Sequence, residues 1–200
     1  MESIEIKTIA AGNIGEAGYA WKRESETLYY GKDGAGAISS WEAVIPGDST
    51  SRGIEYNLLQ AICTPGGAQL ILVERTASTT STRNIRVYKR DVNNTVSYAS
   101  LYTGALGTVR SKGTILPISD GGYLAIFSKV DTNNQVNVEV HHSQDGENWF
   151  LRSRRGIPID IDGAGTFGAG ATGVRIERIR AIESLGQILL LMNITAYNTS

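Results

Sequence analysis

Three times along this chain a glycine turn runs straight into a short apolar run, and that recurrence constrains the fold more than any other feature. The segments are Gly66-Gly67-Ala68-Gln69-Leu70-Ile71-Leu72, Gly121-Gly122-Tyr123-Leu124-Ala125-Ile126-Phe127 and Leu185-Gly186-Gln187-Ile188-Leu189-Leu190-Leu191. Their last glycines stand at 67, 122 and 186, so the spacings are 55 and 64 residues. A fixed period of this size means that one supersecondary unit is repeated. Helical periodicity is nearly absent. The apolar runs are short and bounded by Gly, Asn, Asp, Ser and Pro, the residues that make turns. Gln135-Val136-Asn137-Val138-Glu139-Val140 alternates apolar with polar, which predicts a half-buried strand. Ile188 to Leu191 is apolar throughout, which predicts a strand covered on both faces. Val174, Ile176, Ile179 and Ile182 fit neither period, and their place in the repeat predicts a strand there too.

Downstream of the first two glycine turns come a polar turn (Thr76 to Arg83, and Asp131 to Asn134), a second strand and a further turn rich in Asp and Asn. The unit is four strands in about 55 residues, the size of one four-stranded β-propeller blade. Units are expected over roughly 3–47, 54–104 and 108–158, with half a fourth over 173–200. The expected fold is therefore a single all-β domain over 1–200, a propeller-type array of four-stranded antiparallel blades with about 3.5 blades present. Such an array does not close comfortably on itself. The strand edge left after Ser200 is expected to be covered by another segment, another chain or self-association, because bare edges invite pairing.

Composition narrows the function classes. The formal net charge is −1, so the chain lacks the basic excess of a nucleic-acid coat. Hydrophobic residues are 41% and charged residues 20%, which excludes an acidic disordered chain. A single cysteine, Cys63, excludes an internal disulfide scaffold and a cysteine-built metal site. Residues 1–6 carry neither a basic nor an apolar secretory region, and Ile188–Met192 is far short of a membrane span. Cytoplasmic synthesis without membrane insertion is expected. A later life on a virion or outside the cell, after phage assembly and lysis, fits this equally.

Ser143-Gln144-Asp145-Gly146-Glu147-Asn148-Trp149 resembles the Asp-box, or BNR repeat, of sialidase-like β-propellers. A weaker copy, Gly31-Lys32-Asp33-Gly34 with Trp41 farther on, follows Leu28-Tyr29-Tyr30 as the first follows Val140-His141-His142. The middle unit departs from the pattern: Tyr88-Lys89-Arg90-Asp91 lacks the glycine, with Tyr98 read in the Trp position. Asp-Gly supplies the positive φ of a tight hairpin, Asp and Ser bond the turn's own backbone, and the Trp fills an apolar gap between strands or blades. Ser143, Asp145, Gly146, Trp149, Asp33, Gly34 and Trp41 are accordingly read as fold elements. If the Trp149 ring is buried, Trp149→Ala should cost about 3–5 kcal/mol. The resemblance further implies that the box lies at a blade's outer edge, away from the central site.

Gly163-Ala164-Gly165-Thr166-Phe167-Gly168 matches a dinucleotide fingerprint, but the glycine-rich continuation to Gly173 cannot open the helix that such a site needs, so a loop between units is expected. His141 and His142 are adjacent and should face opposite sides of a strand, one packed and one exposed, which disfavours a shared metal. Arg152, Arg154 and Arg155 cluster after the box, and Arg175, Arg178 and Arg180 follow the glycine loop. Sialidases hold a carboxylate with three arginines, yet Arg155-Gly156-Ile157-Pro158 has an extra glycine relative to the family's Arg-Ile-Pro and follows the box, so the catalytic role is not transferred. Solvated surface arginines are expected. Tyr29, Tyr30, Tyr88, Tyr98 and Tyr102 are read as strand residues. Asn93-Asn94-Thr95, Asn193-Ile194-Thr195 and Asn198-Thr199-Ser200 are read as chance glycosylation patterns. Arg154, Arg155, Tyr29 and Tyr88 stand as the candidate ligand contacts. No catalytic residue, metal site or cofactor is assigned. The expected function is a non-catalytic structural or binding module of a phage or virus tail or adsorption apparatus, contacting protein or receptor. The competing readings are part of a sialidase-like glycoside hydrolase and a carbohydrate-binding lectin.

Overall fold

A computed structural model describes residues 7–9, 19–24, 27–33, 38–45, 54–77, 82–105, 110–130, 135–157 and 173–197, with side-chain surroundings for those in 57–157 and 175–195. The all-β expectation holds: the described residues form strands and turns and no helix. Fourteen strands run in order, β1 (Lys7–Ile9), β2 (Tyr19–Glu24), β3 (Thr27–Asp33), β4 (Ile38–Ile45), β5 (Ile54–Cys63), β6 (Gln69–Ala77), β7 (Thr82–Arg90), β8 (Val96–Ala105), β9 (Gly113–Pro117), β10 (Tyr123–Val130), β11 (Val136–Ser143), β12 (Phe150–Ile157), β13 (Gly173–Ser184) and β14 (Gln187–Tyr197). They pair only with sequence neighbours, antiparallel, as three four-stranded sheets (β1–β4, β5–β8, β9–β12) and the hairpin β13–β14.

One turn geometry recurs. Gly67 donates to the Thr64 carbonyl and Thr64 to that of Ala68; Asp91 to Thr95 and Ile118 to Gly122 repeat the pattern. Each is a three-residue hairpin loop whose last residue must take positive φ. Gly67 (φ 81°), Asn94 (φ 65°) and Gly121 (φ 91°) occupy that position. The paired positions are thus 67 and 121, not 67 and 122, so the structural offset is one residue shorter than the sequence reading. The third glycine turn is of a different kind: Ser184 pairs directly with Gln187 across Leu185 (φ 51°) and Gly186 (φ 73°), a two-residue loop. The polar turn placed at Thr76 to Arg83 is shorter than expected, since β6 runs to Ala77 and β7 begins at Thr82.

The first strands of successive sheets touch in turn: β1 with β5, β5 with β9, β9 with β13. Between the second and third sheets lies one apolar cluster, with Leu70, Leu72, Ile85 and Val87 meeting Ile115, Ala125 and Phe127. Between the third sheet and the hairpin lies another, with Leu124, Ile126, Val136 and Val138 meeting Ile176 and Ile179. Alternation along β10 sends Ala125 and Phe127 one way and Leu124 and Ile126 the other, so this strand is buried on both faces. β12, by contrast, is exposed along nearly its whole length.

The strand expected at Val174 to Ile182 lies within β13, and a bulge explains its broken period. Ile176 faces Ile194 and Arg178 faces Asn193, leaving Glu177 as the extra residue. That insertion puts Ile176 and Ile179 on the same buried face although they are three apart. Two other expectations change. β11 is covered on both faces, not one, because its Glu139–His141–Ser143 side packs against the second sheet. The Ile188–Leu191 run is covered on one face only, with Leu189 and Leu191 each 52% exposed.

Candidate functional site

The box turn is built by side chains that replace backbone partners. Buried Ser143 donates its hydroxyl to Asp145 Oδ1 (3.0 Å) and accepts the Gly146 amide (2.8 Å). Asp145 Oδ1 also accepts the Glu147 and Asn148 amides, both at 2.8 Å, and Oδ2 accepts Asn148 Nδ2 at 2.7 Å. The Asn148 amide, opposed by slight burial and joined by the Asn148 side chain, the Glu147 amide and Ser143, holds the Asp145 carboxyl well below the usual carboxylate range. Trp149 Nε1 donates to the Gly146 carbonyl at 3.0 Å, folding the indole back over the turn.

The turn then grips the preceding sheet. Gly146 has φ 75°, and a Cβ there would sit 2.8 Å from Leu70 Cδ2 of β6. Lys89 Nζ of β7 donates to the Asp145 carbonyl (3.0 Å) and to Glu147 Oε1 (2.8 Å). Trp149 packs on the cluster between the two sheets but is only half-buried. Trp149→Ala should therefore cost about 2 kcal/mol, below the range of a fully buried ring; urea denaturation of the variant measures this, and an unchanged midpoint would remove the ring from the packing account.

Two buried carboxylates occupy the same intersheet space. Glu139 is 1% exposed and receives Lys129 Nζ (2.7 Å), Arg154 Nε (2.7 Å) and His141 Nε2 (3.0 Å). Lys129 sits 3.7 Å over the Tyr102 ring of β8, and His141 stacks on Phe127 with centroids 5.4 Å apart. Glu74 of β6 is fully buried and accepts the Ser111 amide (2.6 Å) and Arg110 Nη1 (3.3 Å), with Arg83 Nη1 at 3.5 Å. Gln60 Oε1 of β5 accepts both the Thr114 hydroxyl and the Ile115 amide of β9. Every one of these groups bonds across or along the junction of the second and third sheets. A carboxylate with three cationic or imidazole donors has little capacity left to accept a substrate proton.

Ser143, Asp145, Gly146 and Trp149 thus come together in one turn. Asp33 ends β3 opposite Ile38, Trp41 lies opposite Gly31, and Tyr29 pairs with Lys22 and Ala43; their side chains, and Gly34 altogether, lie outside the described residues. The glycine-rich segment 163–168 lies outside them as well. Tyr88 does not suit a ligand contact: it is 5% exposed, and its hydroxyl accepts Arg86 Nη1 at 3.2 Å. Tyr98 is not the counterpart of Trp149, because it stands on β8 opposite Tyr88, ring centroids 5.4 Å apart, and not in the turn. Arg154 is bound to Glu139, while Arg155 is exposed opposite Val138. His141 is the packed histidine; His142 is half-buried and within 3.3 Å of Arg152 Nη2.

Sequence reasoning missed Glu74, Lys129 and Glu139. In strands covered on both faces, a polar residue at alternate positions signals a second interface and not solvent, and only the glycine-turn repeat hinted at sheets on both sides. Among the described residues no group of His, Cys, Asp and Glu is placed to hold a metal ion, and no helix is long and apolar enough to cross a membrane. No family model matches the sequence, and no curated protein matches it.

Proposed function

We propose that this chain is a non-catalytic structural or binding module of propeller type, a component of a phage or virus tail or adsorption apparatus that contacts other proteins or a receptor. The observation that carries this reading is the use made of the charged and box residues. Asp145, Glu139 and Glu74 each bind groups of the fold, at the box turn or the junction of the second and third sheets. The contact of first strand with first strand through four successive sheets favours blades arranged around an axis, as the Asp-box resemblance implies. Mass spectrometry of purified particles from an infected culture encoding the chain tests the assignment. The chain should be recovered stoichiometrically with tail proteins, and its absence from particles would overturn the reading. Release of sialic acid from a fluorogenic sialoside, lost on Arg155→Ala, would favour the hydrolase instead.

A further inference from the structure

The outer strands of the second and third sheets hold the same place in the fold and differ in charge. β8 and β12 each end their sheet, and among the described strands each has one neighbour, β7 and β11. Each carries one bulged residue, Leu101 in β8 and Arg152 in β12. A bulge is one guard of an open strand edge and a charge is another. β8 has no charged residue, so this position in the fold does not demand one. β12 places Arg152, Arg154 and Arg155 in a single exposed strand with no acidic residue among them. Lysine is the usual guard of an edge, whereas the planar fork of arginine suits carboxylates.

The register says what shape of ligand fits. Opposed residues of antiparallel strands project to the same face of the sheet. Arg154 stands opposite Glu139 and Leu151 opposite His141, on the side that meets the second sheet. Arg155 stands opposite Val138 and Phe150 opposite His142, on the other side. Both the arginines and the apolar pair Phe150 (63% exposed) and Leu151 (49% exposed) are therefore divided between the two faces. A sugar or nucleic-acid chain lying on one face meets one of each. A strand added along the edge meets all of them, because its own side chains alternate between the same two faces. Arg154 gives Nε to Glu139 and stays 53% exposed, and Arg152 Nη2 lies 3.3 Å from His142 Nδ1. The sheet thus holds two of the guanidinium groups at the edge before any partner arrives, which lowers the cost of ordering them on binding.

We propose that β12 is a docking edge for an extended acidic segment of another protein. The segment adds antiparallel to β12 as a fifth strand, with carboxylates opposite Arg152, Arg154 and Arg155 and apolar side chains opposite Phe150 and Leu151. This names the partner's chemistry for a chain read as a binding module, and it rests on that reading.

Fluorescence anisotropy on the full chain with the labelled peptide Thr-Glu-Glu-Thr-Glu-Val-Val-Thr tests it. The peptide should bind at low salt and weaken as salt rises, because exposed charges are screened. The same peptide with lysine in place of glutamate should not bind. Arg152→Gln/Arg155→Gln should weaken binding by roughly tenfold, the effect of losing two exposed ion pairs, with an unchanged far-ultraviolet circular dichroism spectrum. N-methylation of alternate peptide amides, made in both phases, should abolish binding in one of them, since an added strand depends on its ladder of main-chain hydrogen bonds. Hydrogen exchange should show protection within β12 when the peptide is added. Absence of binding, indifference to the arginine change or to both N-methylated phases, or protection confined to other strands would each overturn the proposal. So would a single-stranded DNA oligonucleotide that binds through the same arginines more tightly than the peptide, which would make the edge a polyanion site. None of these results bears on recovery of the chain from virus particles, so the two tests fail separately.

Discussion

Replacing Glu139 with leucine should lower stability by about 3–5 kcal/mol at neutral pH, as for other buried ion pairs broken on one side. The substitution leaves the Lys129 ammonium, 7% exposed, over the Tyr102 ring of the second sheet and without its carboxylate partner. Urea denaturation measures the loss. Converting Lys129 to methionine as well should restore most of it, because an apolar pair of similar volume replaces a buried ion pair at little cost. A single variant within about 1 kcal/mol of the parent, inside the range of exposed ion pairs, would show that the cluster is solvated. The same variant isolates a pH effect. Burial pushes the Glu139 carboxyl up, but His141, Lys129 and Arg154 outweigh it and hold the pKa at about 2, against 4.5 for the free group. A carboxyl lowered in the folded state stabilises fully above its unfolded pKa and loses that contribution as pH falls toward the folded one. The stability gap between parent and leucine variant should therefore narrow by about 3 kcal/mol between pH 5 and pH 2.

Phe127→Ala should cost about 3–5 kcal/mol, the range for an aromatic ring deleted from a packed core. Phe127 is fully buried where the second and third sheets meet, and the close approach of β9 leaves that region little room to collapse. At Gly113 a Cβ would already lie 2.8 Å from Leu72 Cδ2 and 3.1 Å from Phe127 Cβ. Ile126, one residue earlier, faces the hairpin instead. Ile126→Ala should therefore destabilise by about 2–4 kcal/mol while raising amide exchange chiefly in β13 and β14. Phe127→Ala should raise it chiefly in β6 and β7. Identical exchange patterns for the two variants would mean that β10 does not separate two independent interfaces.

The strands are legible in the sequence because their signals are local. A glycine turn leading into Leu70-Ile71-Leu72 or Leu124-Ala125-Ile126-Phe127 states both the turn and the burial of the strand beyond it. The Ser143–Trp149 turn is legible for the same reason, since the bonds among its own residues span three residues or fewer. Contacts that cross between sheets are not. Glu139 looks like the solvent side of an alternating strand until a second sheet is placed against it, and no spacing links it to Lys129 or Tyr102. The break of period in β13 likewise needs its partner strand, because a bulge at Glu177 is defined only by what Ile176 and Arg178 face. Tyr98 passes for the counterpart of Trp149 in the sequence because the three-residue loop at Asp91–Thr95 is shorter than the box, which shifts every residue after it.

Burial of β10 on both faces makes stability a nearest-neighbour quantity. Among the described residues the third sheet is held by two apolar clusters and the hairpin by one, so this part of the fold behaves less like a single droplet of core than like a short stack of coupled plates. In such a stack the outermost plate peels at the cost of one junction, whereas an inner one leaves only when two are broken. A load applied through the hairpin would be borne by Ile176 and Ile179 before it reached Leu70 or Phe127. Ordered release from one end, and not all-or-none melting, is the mechanical character that this arrangement confers.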